Sequence, residues 1–228
     1  YMVSLLLAVI YLAFISLGLP DSLLGSAWPV MHIHLGAPLS AMGAVTMIIS
    51  AGTVVSSLAS DFLTRKLGTG VVTVVSVLFT AGAMIGFSFA NAFWILCVLA
   101  VPYGLGAGGV DAALNNYVAL HYKSRHMSWL HCFWGVGTIV SPFIMSACLT
   151  GPQGWPGGYR IVSYIQFALV AVLFLSLPLW KKRPGAELSA KPLTLPQTLR
   201  LRGVAFMLIG FFEYSAVEAT AMNWASSY

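Results

Sequence analysis

Tyr103-Gly-Leu-Gly-Ala-Gly-Gly-Val-Asp111-Ala-Ala-Leu-Asn115-Asn116-Tyr117-Val118 is the stretch on which the reading of this chain turns. It opens a region, Pro102 to Pro142, in which two apolar spans flank a short basic loop. Asp111 places an ionisable side chain in a segment that otherwise has the composition of a membrane interior. At helical pitch Gly104, Gly108, Asp111 and Asn115 share one stripe, which combines close-packing glycines with an acid and an amide. A carboxylate at the bilayer centre costs about 2.5 to 3.5 kcal/mol on insertion scales, so it faces a bundle interior or a watery cavity and marks a substrate or proton path.

The rest of the chain agrees with that setting. Of 228 residues, 59% are hydrophobic and 7% charged, and the mean hydropathy is +0.88, well outside the range of soluble domains. This composition is that of a polytopic membrane protein. The net charge of +5 would suggest nucleic acid in a soluble chain, but here the basic residues gather in short loops, where they set topology. No nucleic-acid partner is expected. Cys97, Cys132 and Cys148 all sit in apolar runs, so no disulfide framework is implied and small-hydrophobe packing accounts for them.

A helix needs about 20 apolar residues to cross the hydrocarbon core, and that ruler gives seven spans. They run from Met2 to Val30, interrupted by Gly18-Leu-Pro-Asp21; Ser40 to Ser60; Gly70 to Ala90; Phe93 to Leu120; Ser128 to Leu149; Ile161 to Trp180; and Gly203 to Tyr228. Arg65 and Lys66 follow span two, Lys123 and Arg125 follow span four, and Lys181, Lys182, Arg183, Lys191, Arg200 and Arg202 follow span six. Only Arg160, in the Gly/Pro-rich loop from Thr150 to Arg160, follows an odd span. Short cytoplasmic loops collect Lys and Arg, so the amino terminus is expected in the cytoplasm and the Gly/Pro-rich loop outside.

Three units follow. Residues 1–180 form an amino-terminal six-helix transmembrane bundle, 181–202 a cytoplasmic linker with Pro184, Pro192 and Pro196, and 203–228 the first helix of a second bundle. The chain opens at Tyr1 in an apolar run and closes at Tyr228 at the end of another, and the expectation is a piece of a larger membrane protein. Spans one and four each carry an aspartate beside helix-loosening residues, Pro20-Asp21 and Gly108-Gly109-Val110-Asp111, as two inverted three-helix repeats around a midplane site would place them.

Candidate functional residues are the polar groups that interrupt these spans. Asp21 is either a proton or ligand carboxylate on a stripe with Gly25 and Trp28, or a local cap where Pro20 breaks the helix. Asp111 has no adjacent proline break to cap. Asn115, one turn further, could bond a solute hydroxyl, hold the Asp111 carboxylate, or link two helices; Asn116 points to a neighbouring face. On span five, His131 could relay protons or be a satisfied core histidine, and Trp134 could stack on a pyranose ring or simply pack. Glu213 and Glu218 on span seven lie roughly 140° apart around the helix, so at most one faces a cavity squarely. Glu218 shares a face with Tyr214 and is the preferred one. Asp61 ends span two just before Arg65 and Lys66, and this trio reads as an electrostatic cytoplasmic gate. His32 and His34 in an outer loop, and His121 and His126 around an inner one, lack further ligands at zinc spacing; no metal and no cofactor is expected. Catalytic motifs such as His-Glu-x-x-His, Gly-x-Ser-x-Gly or a nucleotide-binding loop do not occur, so an enzyme is not indicated.

Ser57-Leu-Ala-Ser-Asp61-Phe-Leu-Thr-Arg65-Lys66 resembles the loop motif of the major facilitator superfamily, Gly-x-x-x-Asp-Arg/Lys-x-Gly-Arg-Arg/Lys, through Asp61, Arg65 and Lys66. The run from Asp111 through Trp-Leu-His-Cys-Phe-Trp-Gly-Val-Gly (129–137) resembles the fucose–proton symporter branch, as does Tyr214-Ser-Ala-Val-Glu218. The resemblance implies an all-α major facilitator fold of twelve helices, of which this chain would be the amino-terminal bundle plus the first helix of the second. It also implies secondary active transport of a small polar solute, a sugar, coupled to protons by alternating access, with the branch's acids falling on Asp21 and Asp111 and its span-four Asn on Asn115. The location implied is a bacterial inner membrane, with a monomeric full-length protein. In the branch a proline usually stands where this chain has Asn116, and an Asn where it has Trp134. Gly137-Thr-Ile-Val-Ser141-Pro142 resembles the superfamily's antiporter motif with Ser for Gly, so proton-driven efflux is the alternative. A seven-helix receptor is suggested only by the span count, and span seven has no Lys for a retinal Schiff base. A non-transporting membrane sensor on the same fold is a third possibility.

Overall fold

A computed structural model describes residues 2–180 and 195–224. The greater part of the linker, with Lys181, Lys182, Arg183, Pro184, Lys191 and Pro192, lies outside the described residues, as do residues 225–228. The described residues are helical throughout their ordered elements. Their order is α1 (Met2–Asp21), α2 (Leu23–His34), a short 3-10 turn (Leu39–Ala41), α3 (Met42–Leu67), α4 (Thr69–Ser88), α5 (Phe93–His121), α6 (Ser124–Thr150), α7 (Gly154–Ser176), a 3-10 turn (Leu177–Leu179), α8 (Leu195–Leu199) and α9 (Val204–Trp224). Seven helical segments are long and apolar enough to cross a membrane, α1 and α2 together making the first. Their outward faces carry large apolar side chains such as Trp94, Phe143 and Leu175, 66%, 73% and 78% exposed. Such faces suit lipid rather than water.

Several boundaries differ from those the sequence suggests. The first span is interrupted at Ser22, the residue just beyond the Gly18-Leu-Pro-Asp21 stretch that the sequence suggests. Proline has no N–H to give the carbonyl four residues back, here that of Ser16. Gln166 on α7 makes up the loss: its buried side-chain amide donates to that carbonyl at 3.0 Å. The α3 helix runs on past Ser60 to Leu67, so Asp61, Arg65 and Lys66 stand on its last two turns, not in a loop. The Gly/Pro-rich loop shrinks to residues 151–153, because α7 begins at Gly154 and takes Pro156 into its first turn, where a missing N–H has no helical partner to deprive. His32 and His34 belong to the last turn of α2, and the end of the linker forms α8. Between α3 and α4 the chain reverses through the single residue Gly68 at φ 87°, a backbone region that side chains rarely enter.

The six spans of the bundle pair as α1 with α6, α3 with α5, and α4 with α7, with α4 also lying along α5. Exchanging spans one, two and three for four, five and six carries the first three pairings onto themselves, as two three-helix repeats require. Small residues make the closest approaches. On Gly18 of α1 a Cβ would strike the Trp134 carbonyl of α6, and on Gly137 of α6 it would strike the Ile15 carbonyl of α1. The repeat-related seam is built alike: Gly104 and Gly108 of α5 rest on the Ile49 and Thr53 carbonyls of α3. Hydroxyls bridge this seam as well, Ser56 donating to the Leu105 carbonyl at 2.5 Å and Thr53 to that of Gly104 at 3.3 Å. In a membrane such close backbone contact and side-chain hydrogen bonding replace the hydrophobic effect as the means of helix association. The bundle interior has two apolar clusters, one around Trp28, Met84 and Tyr159 and the other around Phe14, Leu114 and Tyr117. Between them, beside α9, lies the cavity described next.

Candidate functional site

The cavity has two compartments, of about 270 Å³ and 550 Å³. Asp21, Ile49, Tyr103 and Glu218 line both and so form the partition between them. The smaller compartment reaches towards Tyr159 and Phe87, and towards Ser215 and Asn223 of α9. The larger reaches towards Asp111, His131 and Trp134, and towards Phe211 and Tyr214 of α9. Each helix reaches the cavity for a local reason. Pro20 loosens α1 beside Asp21, the glycine stripe of α5 lets α3 approach so that Tyr103 and Asp111 sit at the seam's edge, and α9 turns Tyr214 and Glu218 inward.

Asp21 is held from two sides. The Tyr103 hydroxyl of α5 donates to Oδ1 at 2.9 Å, and the Trp134 indole N–H of α6 donates to Oδ2 at 2.8 Å. Asp111 is held on its own helix, where the Asn115 amide donates to its carboxylate at 2.9 Å and to its backbone carbonyl at 3.0 Å. On α9 the Tyr214 hydroxyl donates to Glu218 Oε1 at 2.9 Å. Asp111 and Glu218 are both near enough to Asp21 to act on it electrostatically, and His131 acts likewise on Asp111. His131 also meets Phe14 edge-on at 6.0 Å. Among the described residues no Lys or Arg lines either compartment. The lining is acidic and aromatic, with three carboxylates from three helices.

Of the residues singled out from sequence, Asp21, Asp111, Glu218, His131, Trp134 and Tyr214 line this cavity. Asn115 does not; its amide holds Asp111. Trp28 is a correction: it is fully buried in the apolar core, where its indole N–H donates to the Leu39 carbonyl at 2.8 Å. Ser22 keeps a right-handed helical backbone, so Gly25 stays on the side of Asp21 and lies against the backbone of Met222 and Asn223 on α9, whereas Trp28, a turn further on, packs into the core. Glu213 is exposed and lines neither compartment. Asp61 and Arg65 form an ion pair one turn apart at the exposed end of α3, and the Lys66 ammonium lies over the Phe62 ring at 6.0 Å. This cluster is separate from the cavity lining. Among the described residues no group of three His, Cys, Asp or Glu side chains could hold a metal ion. Tyr103 is a cavity residue that sequence reasoning passed over; its local signal is a phenol in an apolar span, two turns ahead of Asp111.

Residues 10–228 match the family model described as Major Facilitator Superfamily. Among solved structures, the chain is similar to the peptide transporter POT, crystallised as a point mutant in complex with alafosfalin, at a TM-score of 0.67 and 16% identity over 93% of this chain and 46% of that one. The same mutant without that compound gives a TM-score of 0.67 and 15% identity over 96% of this chain and 47% of that one. The chain thus spans under half the length of these transporters, and the likeness is one of fold. A comparison with curated proteins gives no match.

Proposed function

The chain belongs to the major facilitator superfamily of membrane transporters, and from that premise we propose that it is the amino-terminal half, plus the first helix of the second half, of a proton-coupled carrier for a small polar solute, in the first instance a sugar. The observation that carries the reading is the convergence of Asp21, Asp111 and Glu218, from α1, α5 and α9, on one cavity that no Lys or Arg lines among the described residues. Such acids are costly inside a membrane and repay that cost as proton and ligand sites. Asp21 and Asp111 exchange the coupled proton, and the hydroxyls and aromatic faces of the cavity hold the solute. Two bundles rocking about this midplane site give alternating access. The Asp61–Arg65–Lys66 cluster acts as the cytoplasmic gate, with the amino terminus in the cytoplasm of a bacterial inner membrane, in accord with the loop charges. The full-length carrier works as a monomer.

Antiport is the second reading, favoured by the Gly137 to Pro142 segment of α6, whose Gly137 lies on the α1 backbone. Uptake of labelled fucose, a panel of other monosaccharides and a dipeptide into proteoliposomes, with and without an inward proton gradient, tests both. Accumulation of a monosaccharide driven by the gradient supports symport, and accelerated efflux under the same gradient supports antiport. Transport of any of these solutes that an uncoupler leaves unchanged would remove proton coupling from the account.

A further inference from the structure

The two side chains that hold Asp21 differ in one respect. An indole N–H can only donate, whereas a phenol hydroxyl donates or accepts by turning about its C–O bond. As the structure stands, both carboxylate oxygens of Asp21 accept, one from Tyr103 and one from Trp134, which is the pattern of an ionised acid. A proton bound to either oxygen turns that oxygen into a donor and a poor acceptor. Trp134 cannot answer such a change at Oδ2, so the proton settles on Oδ1, facing the partner that can. Tyr103 then accepts the acid's hydrogen on its own oxygen, and its own hydrogen, still covalently attached, swings away from Asp21. Tyr103 lines both compartments, so that hydrogen emerges into the cavity.

We propose that the Tyr103 hydroxyl converts the charge state of Asp21 into a change in what the cavity offers a solute: an oxygen lone pair while Asp21 is ionised, an O–H once Asp21 carries a proton. The inference rests on the proton-coupled reading and sharpens it. The solute presents an acceptor oxygen, hydroxyl or carbonyl, at Tyr103 and is held more tightly when the proton is on, which is the sign that symport needs. No bond of Tyr103 breaks; the proton that Asp21 binds comes from solvent and returns to it. The other titratable groups about the pair are Asp111 on α5 and Glu218 on α9, which act on Asp21, and Tyr159 on α7, which acts on Tyr103. Behind them, His131 on α6 acts on Asp111 and Tyr214 on α9 donates to Glu218. The cavity-lining residues of α3 and α4, such as Thr46, Ser50 and Met84, have no charge to contribute. None of these groups donates a described hydrogen bond to the Asp21 carboxylate, so Tyr103 is the positioning residue.

Infrared difference spectra of the full-length carrier in lipid vesicles, acid minus neutral, test this, because the phenol C–O stretch differs between a donating and an accepting hydroxyl and ring-deuterated tyrosine identifies it. The expected spectrum shows a carboxylic-acid band together with a tyrosine C–O shift. Asp21→Asn removes the shift together with the Asp21 part of the acid band, Tyr103→Phe removes the shift but keeps that band, and Trp134→Phe keeps the shift. An Asp21-dependent acid band without a tyrosine shift in the native protein overturns the proposal, as does a shift that survives Tyr103→Phe, or the absence of any acid band that Asp21→Asn abolishes. The native spectra alone suffice for the first of these should a variant misfold. In parallel, labelled fucose should bind more tightly at acid pH to the native carrier, and this tightening should be smaller in Tyr103→Phe, where only Asp111 still contributes. Failure of fucose to bind at any pH removes the sugar reading and leaves the infrared result to decide the role of Tyr103.

Discussion

Gln166 of α7 gives its side-chain amide to the backbone carbonyl of Ser16 on α1, the carbonyl that Pro20 leaves without an intrahelical donor. Gln166→Leu keeps the bulk and withdraws the donor, so a buried carbonyl is left unmet, at about 1–3 kcal/mol. The thermal unfolding midpoint of the full-length carrier in detergent should fall accordingly. An unchanged midpoint would mean that the break after Pro20 does not need α7.

The glycine seams permit a comparison within one helix. On Gly137 a Cβ would strike the Ile15 carbonyl, while on Gly135, two residues earlier, it would meet nothing within 4 Å. Gly137→Ala should therefore push α6 off α1 and destabilise by about 1–3 kcal/mol. Gly135→Ala should be neutral or stabilising by up to about 1 kcal/mol through helix propensity. Equal effects in a thermal or denaturant series would show that the seam yields.

Proton coupling is tested by Asp111→Asn, which keeps shape and hydrogen-bonding capacity but holds the site neutral. Gradient-driven accumulation in proteoliposomes should fall to none, while exchange of labelled for unlabelled solute continues. Asp21→Asn should likewise abolish accumulation while exchange continues, because its amide donates to Tyr103 and accepts from Trp134 as the protonated acid does. An Asp111→Asn carrier that still concentrates its solute ends the proton role of this acid.

At the exposed end of α3, the Asp61–Arg65 pair is one turn apart on a single helix, a setting worth about 0.3–0.5 kcal/mol. Arg65→Ala should leave the unfolding midpoint almost unmoved. Any loss of transport by this variant then reflects the rate of switching between inward and outward forms. A large drop in stability would contradict the gate reading.

The seven spans were legible in the sequence because a bilayer demands long apolar segments, and the basic loops marked where they end. Boundaries were less so, since Gly and Pro punctuate loops in water but sit inside α1, α5, α6 and α7 here, where neighbouring helices supply what they lack. Asp21, Asp111 and Glu218 stood out because an acid has few tolerable places in an apolar helix. The grip of Tyr103 and Trp134 on Asp21 spans 82 and 113 residues of chain, and no local periodicity records a contact at that range. Trp28 shows the opposite failing: the stripe from Asp21 through Gly25 does not tell that the next turn points its indole to the Leu39 carbonyl in the core.

The pairing of α1 with α6, α3 with α5 and α4 with α7 has a consequence for how the chain is made. Each of these seams joins a helix of the first triplet to one of the second, so the first three spans have little to hold one another when they leave the insertion machinery. Long-range pairings of this kind form late, because their closure entropy is met before any contact rewards it. The glycine faces of α1 and α3 therefore wait in lipid until α5 and α6 arrive, and α7 completes the set through Gln166. Release of the nascent chain before span four would leave three inserted helices with no interior, a form that quality-control proteases can recognise.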